Sequence, residues 1–267
     1  KNLSDCRFSL SLDDGSSVDF RVAKIPISGE YENFVLRILD SEKLARAKGT
    51  LPFSGGLLDD FESALNAESG MIILTGPTGS GKTTTLYSAL MRLDLAELNV
   101  RTIEDPIEYK LNKAVQTQID VKNGVTFPRA LRAMLRADPD VIMVGEIRDE
   151  ETAELAISAA NTGHLVLTTL HTRSALGVIP RLQDLGLSRS SIQEAVTLVV
   201  SQRLLPCLCN KCKVPVKTTD FQKRHFEFYG ITPPKYIYRP LGCPDCGSSG
   251  VEGRSPVFEF LRFDSTV

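Results

Sequence analysis

The residue run with the clearest chemical meaning is Gly-Pro-Thr-Gly-Ser-Gly-Lys-Thr at 76–83, which fills every fixed position of the phosphate-binding loop G-x-x-x-x-G-K-[ST]. It follows directly on the apolar run Met71–Leu74, a predicted strand, and precedes a predicted helix. A strand, a glycine-rich turn and a helix N-terminus direct several backbone N–H groups at one anionic group. We therefore predict that the chain binds a nucleoside triphosphate.

Each part of this loop has a predicted role. The glycines let the backbone wrap the phosphates without a Cβ clash, Lys82 reaches the β- and γ-phosphates, and the Thr83 hydroxyl is placed to ligate Mg²⁺. A chance glycine-rich turn is disfavoured because a strand and a helix both flank the match. The predicted nucleotide-binding residues are Gly76, Pro77, Thr78, Gly79, Ser80, Gly81, Lys82 and Thr83.

Carboxylates follow two other predicted strands, where α/β proteins place their ligand sites. Glu146 ends the buried run 140–146 and is the predicted residue for holding Mg²⁺; capping of the next helix suits Asp149 better. Glu104, Asp105 and Glu108 follow the strand 100–103, and one of these carboxylates is expected to polarise the attacking water. The alternative for this second acidic set is a solvated turn.

Two arginines and two histidines have a less specific pattern. Arg132 and Arg136 are four residues apart on a predicted helix, so their side chains share one face that is either solvated or a phosphate sensor. His164 and His171 lie at the two ends of a predicted strand. Lone histidines are usually structural, but two in an ATPase core are candidates for sensing the γ-phosphate.

The cysteines are concentrated near the C-terminal end of the chain. Cys209-x-x-Cys212 and Cys243-x-x-Cys246 form two pairs of equal internal spacing, which predicts a closed tetrahedral zinc site. A protein that uses ATP works in a reducing compartment, where such pairs hold a metal more often than they form disulfides. Cys207 remains an alternative to Cys209 as a ligand.

Composition excludes several classes of protein. The net charge is −2, with 31 basic and 33 acidic residues among 267, so the overall balance gives no indication of a nucleic-acid partner. No apolar run approaches the ~20 residues that span a bilayer, which predicts a soluble protein that reaches membranes only through partners. The two ends interrupt sequence patterns, and we expect a piece of a longer protein truncated at both ends.

The spacing of apolar residues predicts an α/β fold with a parallel sheet at its centre. Residues 1–39 alternate apolar and polar residues, which predicts a small antiparallel sheet. Strands are expected at 71–74, 100–103, 141–144 and 165–169, and helices at 57–65, 83–93, 128–136, 151–161, 174–185 and 189–204.

Five motifs, in this order, resemble those of the ATPases of type II secretion and type IV pilus assembly. They are the phosphate loop, Glu104-Asp-Pro-Ile-Glu108-Tyr, Leu131-Arg-Ala-Met-Leu-Arg-Ala-Asp-Pro-Asp140, Val144-Gly-Glu-Ile-Arg-Asp-Glu-Glu-Thr152 and Thr162-Gly-His-Leu-Val-Leu-Thr-Thr-Leu-His171-Thr. The resemblance implies a partial, PAS-like N-terminal sheet domain over 1–40, a linker over 41–55 and a RecA-like P-loop ATPase core over 56–206. A tetracysteine zinc subdomain over 207–250 and a C-terminal segment over 251–267 complete the expected organisation.

The resemblance also implies roles for individual residues. The water-activating glutamate of the family falls on Glu108 and its Walker B glutamate on Glu146, while Glu104 remains a second candidate. His164 and His171 match the family's histidine box. Four arginines match the family's phosphate-approaching set, Arg21 and Arg37 from the preceding domain and Arg132 and Arg136 across the subunit boundary.

At the level of the assembly, the resemblance implies a cytoplasmic homohexamer that uses ATP, Mg²⁺ and Zn²⁺. It is associated peripherally with the bacterial inner membrane through platform and docking proteins, and it powers protein secretion or pilus assembly. Two alternatives stay open: a nucleotide-gated scaffold with little turnover, and a nucleic-acid translocase, which the lack of a basic stripe disfavours.

Overall fold

The computed structural model describes residues 5–11, 17–27, 31–39 and 50–263. Within these ranges the chain divides into two compact units. The first runs to Ser201 and resumes at Glu259, and the second is Gln202–Phe258. The second unit overlaps the predicted tetracysteine segment, and much of the predicted linker, residues 41–49, lies outside the described ranges.

A three-stranded antiparallel sheet opens the first unit, as the alternating pattern of residues 1–39 predicts. Its strands are β1 (Asp5–Ser11), β2 (Ser17–Pro26) and β3 (Glu32–Leu39), in the order β1-β2-β3. The register pairs Arg21 of β2 directly with Arg37 of β3. Because directly paired residues point to the same face of a sheet, both arginines lie on one face.

A seven-stranded sheet with the order β12-β9-β4-β8-β7-β5-β6 confirms the predicted α/β class. The pairings that link β9, β4, β8, β7, β5 and β6 are all parallel. Its strands are β4 (Gly70–Thr75), β5 (Val100–Glu104), β6 (Val115–Gln118), β7 (Val141–Val144), β8 (Leu165–Leu170), β9 (Val196–Leu208) and β12 (Val251–Arg262). Every residue of β4, β7 and β8 is buried, as expected for strands covered on both faces.

Helices of the first unit alternate with these strands. They are α1 (Gly56–Leu65), α2 (Lys82–Leu90), α3 (Phe127–Met134), α4 (Glu150–Asn161), α5 (Val178–Asp184) and α6 (Arg189–Ala195). Side-chain oxygens of Thr126, Asp149 and Ser188 cap α3, α4 and α6, each accepting a backbone N–H of the first turn. Asp149 therefore has the capping role that the sequence assigned to it.

Two predicted helices need correction. The predicted helix 189–204 is helical only to Ala195, and β9 follows at once. The run Val196-Thr-Leu-Val-Val is largely β-branched, and its burial against β4 favours a strand over a helix. The predicted helix 174–185 begins only at Val178, because a turn in which Gly177 N donates to Ser174 Oγ (3.2 Å) precedes it.

The second unit has a small sheet and one helix. Strand β10 (Val214–Lys217) pairs antiparallel with β11 (Tyr236–Arg239), and α7 (Asp220–Phe228) lies between them in sequence. Thr219 and Gln222 form a capping box at the start of α7. Among the described residues, no helix of either unit combines the length and apolarity needed to cross a membrane.

Gly70, at the start of β4, provides a test of this packing. Its φ is +127°, and a Cβ at this position would lie 2.4 Å from Thr197 Cγ2. We expect Gly70→Ala to lower the free energy of unfolding by roughly 2–4 kcal/mol, from backbone strain plus overpacking. Urea denaturation measures this change.

Gly163→Ala is the matched control, since Gly163 has φ +100° with no atom within 4 Å of the added Cβ. It carries the strain of the left-handed backbone alone, about 1–2 kcal/mol. Equal destabilisation by the two substitutions would contradict the tight contact of Gly70 with β9.

Candidate active site

The phosphate loop connects the end of β4 to the start of α2. Gly81 is the N-cap of α2 with φ +87°, a left-handed conformation that favours glycine. The Lys82 amino group donates to the carbonyl oxygens of Gly76 (2.8 Å) and Pro77 (3.2 Å), so it lies within the curve of the loop. Burial holds the pKa of Lys82 below its usual value, and the charge of Glu146 opposes this shift.

Glu146, Arg148 and His171 meet where β7 and β8 end. Glu146 lies two residues after the end of β7 and accepts a hydrogen bond from Arg148. His171 lies directly after β8, and its Nε2 is 3.7 Å from Glu146 Oε2. Arg148 Nη1 also lies 3.6 Å from Asp105 Oδ2. The structure thus brings Glu146 and His171 together, and the charge of Glu146 acts on Lys82.

Threonine hydroxyls fix these strand ends. Thr169 Oγ1 donates to the carbonyl oxygen of Gly145 (2.7 Å), directly before Glu146. Thr75 Oγ1 accepts from the backbone N–H of Thr172 (2.8 Å) and donates to Leu170 O (3.1 Å). The segment that carries His171 is therefore attached to the start of the phosphate loop.

His164 lies at the other end of β8. Its Nδ1 is 2.9 Å from the carbonyl oxygen of Ala159. A strand rises about 3.3 Å per residue, so the seven steps from His164 to His171 along β8 separate the two histidines by about 23 Å. The structure does not bring His164 to the site of His171 within one chain.

Glu108 and Glu104 occupy different environments. Glu108 is half-buried beside a cavity of about 670 Å³. Burial raises the pKa of Glu108, the charge of Glu104 raises it further, and the charges of Arg37 and Arg21 lower it. The arginines of the N-terminal sheet therefore act electrostatically at Glu108.

Glu104 is only 4% exposed. Its carboxylate accepts hydrogen bonds from the hydroxyl of Tyr87, from Thr102 Oγ1 (2.6 Å) and from Gln116 Nε2 (3.1 Å). A carboxylate with three protein donors and little exposure is held in place and has little room to contact water.

Arg132 and Arg136 are exposed at the end of α3 and in the 3-10 turn Leu135–Ala137. Arg132 forms an ion pair with Glu151 of α4, with both side chains about half exposed. Exposed ion pairs contribute little to the free energy of folding, so the stability gained from this pair does not explain why an arginine stands at position 132.

Sequence reasoning missed three residues of this site. Arg148 is two positions beyond Glu146 in the same motif, and that proximity was the available signal. Tyr87 and Gln116 had no local signal, because their role depends on contacts between separate elements.

In the second unit, the side chains of the four predicted cysteines converge. The sulfur atoms of Cys209, Cys212, Cys243 and Cys246 all lie within 4.8 Å of one another. The backbone N–H groups of Cys243 and Gly250 each donate to Cys246 Sγ at 3.2 Å. These bonds lower the pKa of Cys246 to about 6, which favours the thiolate.

Residues 3–267 match the model of the family described as Type II/IV secretion system protein. The chain belongs to this family. It is 45% identical to the Type II secretion system protein E of Klebsiella pneumoniae and 42% identical to the Type IV pilus assembly ATPase PilB of Acinetobacter baylyi, each over 98% of the chain.

The chain spans about half the length of these relatives, 52% and 46% respectively. Among solved structures, it is similar to the pilus retraction motor PilT with bound ADP, with a TM-score of 0.65 and 30% identity over 98% of this chain and 64% of that one. The predicted membership of the secretion and pilus ATPase family is thereby confirmed.

Proposed function

We propose that the chain is the catalytic part of an ATP-hydrolysing motor for protein secretion or pilus assembly. The observation that carries this proposal is Glu146, which lies 3.7 Å from His171 and whose charge acts on Lys82 of the phosphate loop. Half-buried Glu108 lies in the electrostatic field of Arg21 and Arg37. Membership of the family and the names of its relatives support it.

The proposed chemistry assigns a task to each residue. Lys82 and the loop N–H groups bind the β- and γ-phosphates, and Glu108 accepts the proton of the water that attacks the γ-phosphorus. Thr83 and Glu146 supply the oxygen atoms that would hold Mg²⁺, which neutralises phosphate charge when bound. The raised pKa of Glu108 suits a base, because a base works best when its pKa approaches the operating pH.

We further propose a homohexamer in which Arg132 and Arg136 approach the phosphates of a neighbouring subunit. Both arginines are exposed, and an arginine supplied by another subunit is an established way to stabilise the transferring phosphoryl group. Arg21 and Arg37 act beside Glu108. His164, about 23 Å from His171, is better suited to a contact outside the phosphate site.

The proposed setting is the cytoplasmic face of the bacterial inner membrane. There the motor works with platform and docking proteins and reaches the membrane through them. The relatives are named for type II secretion and for type IV pilus assembly, processes that this setting would serve. The net charge of −2 gives no support to a nucleic-acid partner.

Zinc is the proposed metal of the second unit. A tetrahedral site with zinc–sulfur bonds of about 2.3 Å requires sulfur atoms about 3.8 Å apart. The distances from Cys246 Sγ are 3.9 Å to Cys212 and 3.7 Å to Cys243, which fits this geometry. Four thiolates without an open position make the site structural.

Two substitutions test the catalytic roles. Lys82→Ala is expected to abolish ATP binding, because it removes the cation at the centre of the loop. Glu108→Gln is expected to keep ATP binding and lower turnover at least ~100-fold. Glu97→Gln, in an exposed turn, is the control and retains wild-type turnover; wild-type turnover in Glu108→Gln would contradict the assignment of the base.

A mixing experiment tests the role of the subunit boundary. Full-length protein is expected to gain ATPase activity per chain as its concentration rises. Addition of Arg132→Ala subunits should then lower activity out of proportion to their number, because one altered arginine impairs its neighbour.

Glu151→Gln is the matched control, since it removes the same ion pair and leaves Arg132 in place. Its subunits should mix without an excess loss of activity. Activity per chain that stays constant from dilute protein to assembled ring would contradict action across subunits.

Metal analysis tests the zinc site. We expect one zinc per chain in the wild type and none in Cys243→Ser. Residues 202–258 of this variant should also lose their protection from amide hydrogen exchange, because the metal supplies folding free energy to a unit with a small core. Exchange in the first unit should be unchanged. Cys207→Ser should keep its zinc, and loss of the metal in that variant would show that Cys207 is a ligand.

A further inference from the structure

Glu104 lies at the centre of a buried hydrogen-bond network that joins three elements. It is the last residue of β5, Tyr87 belongs to α2, and Gln116 belongs to β6. Tyr87 is fully buried, and its hydroxyl donates to Glu104 Oε2. Gln116 Nε2 donates to Glu104 Oε1 at 3.1 Å.

The same two side chains hold the segment around Glu108. Gln116 Nε2 donates to the carbonyl oxygen of Tyr109 (2.8 Å), and Gln116 Oε1 accepts from the backbone N–H of Leu111 (2.7 Å). The backbone N–H of Tyr109 donates to the Tyr87 hydroxyl at 3.4 Å, and the two tyrosine rings meet edge to face at 5.3 Å. Tyr109, the residue directly after Glu108, is therefore held by hydrogen bonds at both its backbone N–H and its backbone C=O group.

This network reaches the phosphate loop through α2. The helix begins at Lys82, and Tyr87 lies five residues further along it. A displacement of the first turn of α2 would therefore be transmitted through Tyr87 to the Glu108 segment. A side chain that must be held within a fraction of an ångström needs such supporting contacts.

We propose that Tyr87, Glu104 and Gln116 are positioning residues that couple the helix after the phosphate loop to Glu108, so that the base is aligned with bound nucleotide. The proposal rests on the proposed function, in which Glu108 is the base. It assigns Glu104 a supporting role instead of contact with the attacking water, in accord with its burial and its three donors.

Electrostatics gives this arrangement a measurable signature. The charged and titratable groups that act on Glu108 are Glu104 of β5, Arg21 of β2 and Arg37 of β3, and Glu108 in turn acts on the Tyr87 phenol of α2. After burial, the charge of Glu104 is the main cause that raises the pKa of Glu108. Because Glu108 acts as a carboxylate, turnover is lost as the pH falls through its pKa. Glu104→Gln should therefore move the acidic limb of the kcat profile to lower pH.

Steady-state kinetics of assembled full-length protein tests the proposal. Tyr87→Phe and Gln116→Leu, which nearly preserve volume, should each lower kcat about tenfold and leave the KM for ATP within about twofold. Glu104→Gln should lower kcat and shift the acidic limb as described. Tyr31→Phe, which removes a hydroxyl from an exposed tyrosine, is the matched control and should match wild type.

The outcomes separate this proposal from the one on which it rests. If Glu108→Gln abolishes turnover while Tyr87→Phe and Gln116→Leu keep wild-type kcat, the positioning network is overturned and the role of Glu108 stands. If Glu108→Gln itself is fully active, the proposed function fails first. Should Glu104→Gln not fold, as judged by circular dichroism, Tyr87→Phe and Gln116→Leu still decide; a rise in KM with unchanged kcat in both would also overturn the proposal.

Discussion

The parallel pairing of β4 with both of its neighbours is the constraint on which the rest of the structure depends. β4 bonds to β8 on one side and to β9 on the other, and all six of its residues are buried. A shift of register by one residue would break the hydrogen bonds to both neighbours and turn every side chain to the opposite face of the sheet, into packing built for other residues. Parallel strands end at the same edge, and this edge receives both the phosphate loop and the segments that follow β7 and β8.

The strands determine where this edge lies, but they do not determine the conformation of the loops that leave it. Threonines at the strand ends remove that freedom, because their hydroxyls bond the backbone of neighbouring segments. Thr169 donates to the carbonyl oxygen before Glu146, and Thr75 bonds the backbone on both sides of His171, at Leu170 and Thr172. A buried threonine hydroxyl without such a partner would be destabilising, so these bonds stabilise the fold. The same bonds also position Glu146 and His171.

The sequence was sufficient where a local pattern determines the outcome. The phosphate loop, the alternation of strands and helices and the convergence of four cysteines all follow from short-range spacing. The pattern was insufficient for β9, because a short apolar run such as Val196–Val200 fits a buried helix as well as a strand, and only its pairing with β4 decides. Gln116 was missed for a related reason, since its partner Glu104 belongs to a separate strand. Arg148 was missed although its partner Glu146 is only two residues away.

Glu104 and Glu108 have the same side chain, but they differ in burial and therefore in their proposed roles. They are four residues apart in one motif, and spacing alone makes both of them candidates for the base that activates the attacking water. Three protein donors satisfy Glu104, and its remaining exposure of 4% leaves it little contact with solvent. Its charge then acts on Glu108, which is half-buried and lies beside a cavity of about 670 Å³. After burial, the charge of one carboxylate is thus the main cause that raises the pKa of the other, while the hydrogen bonds that Glu104 accepts hold it in a supporting position.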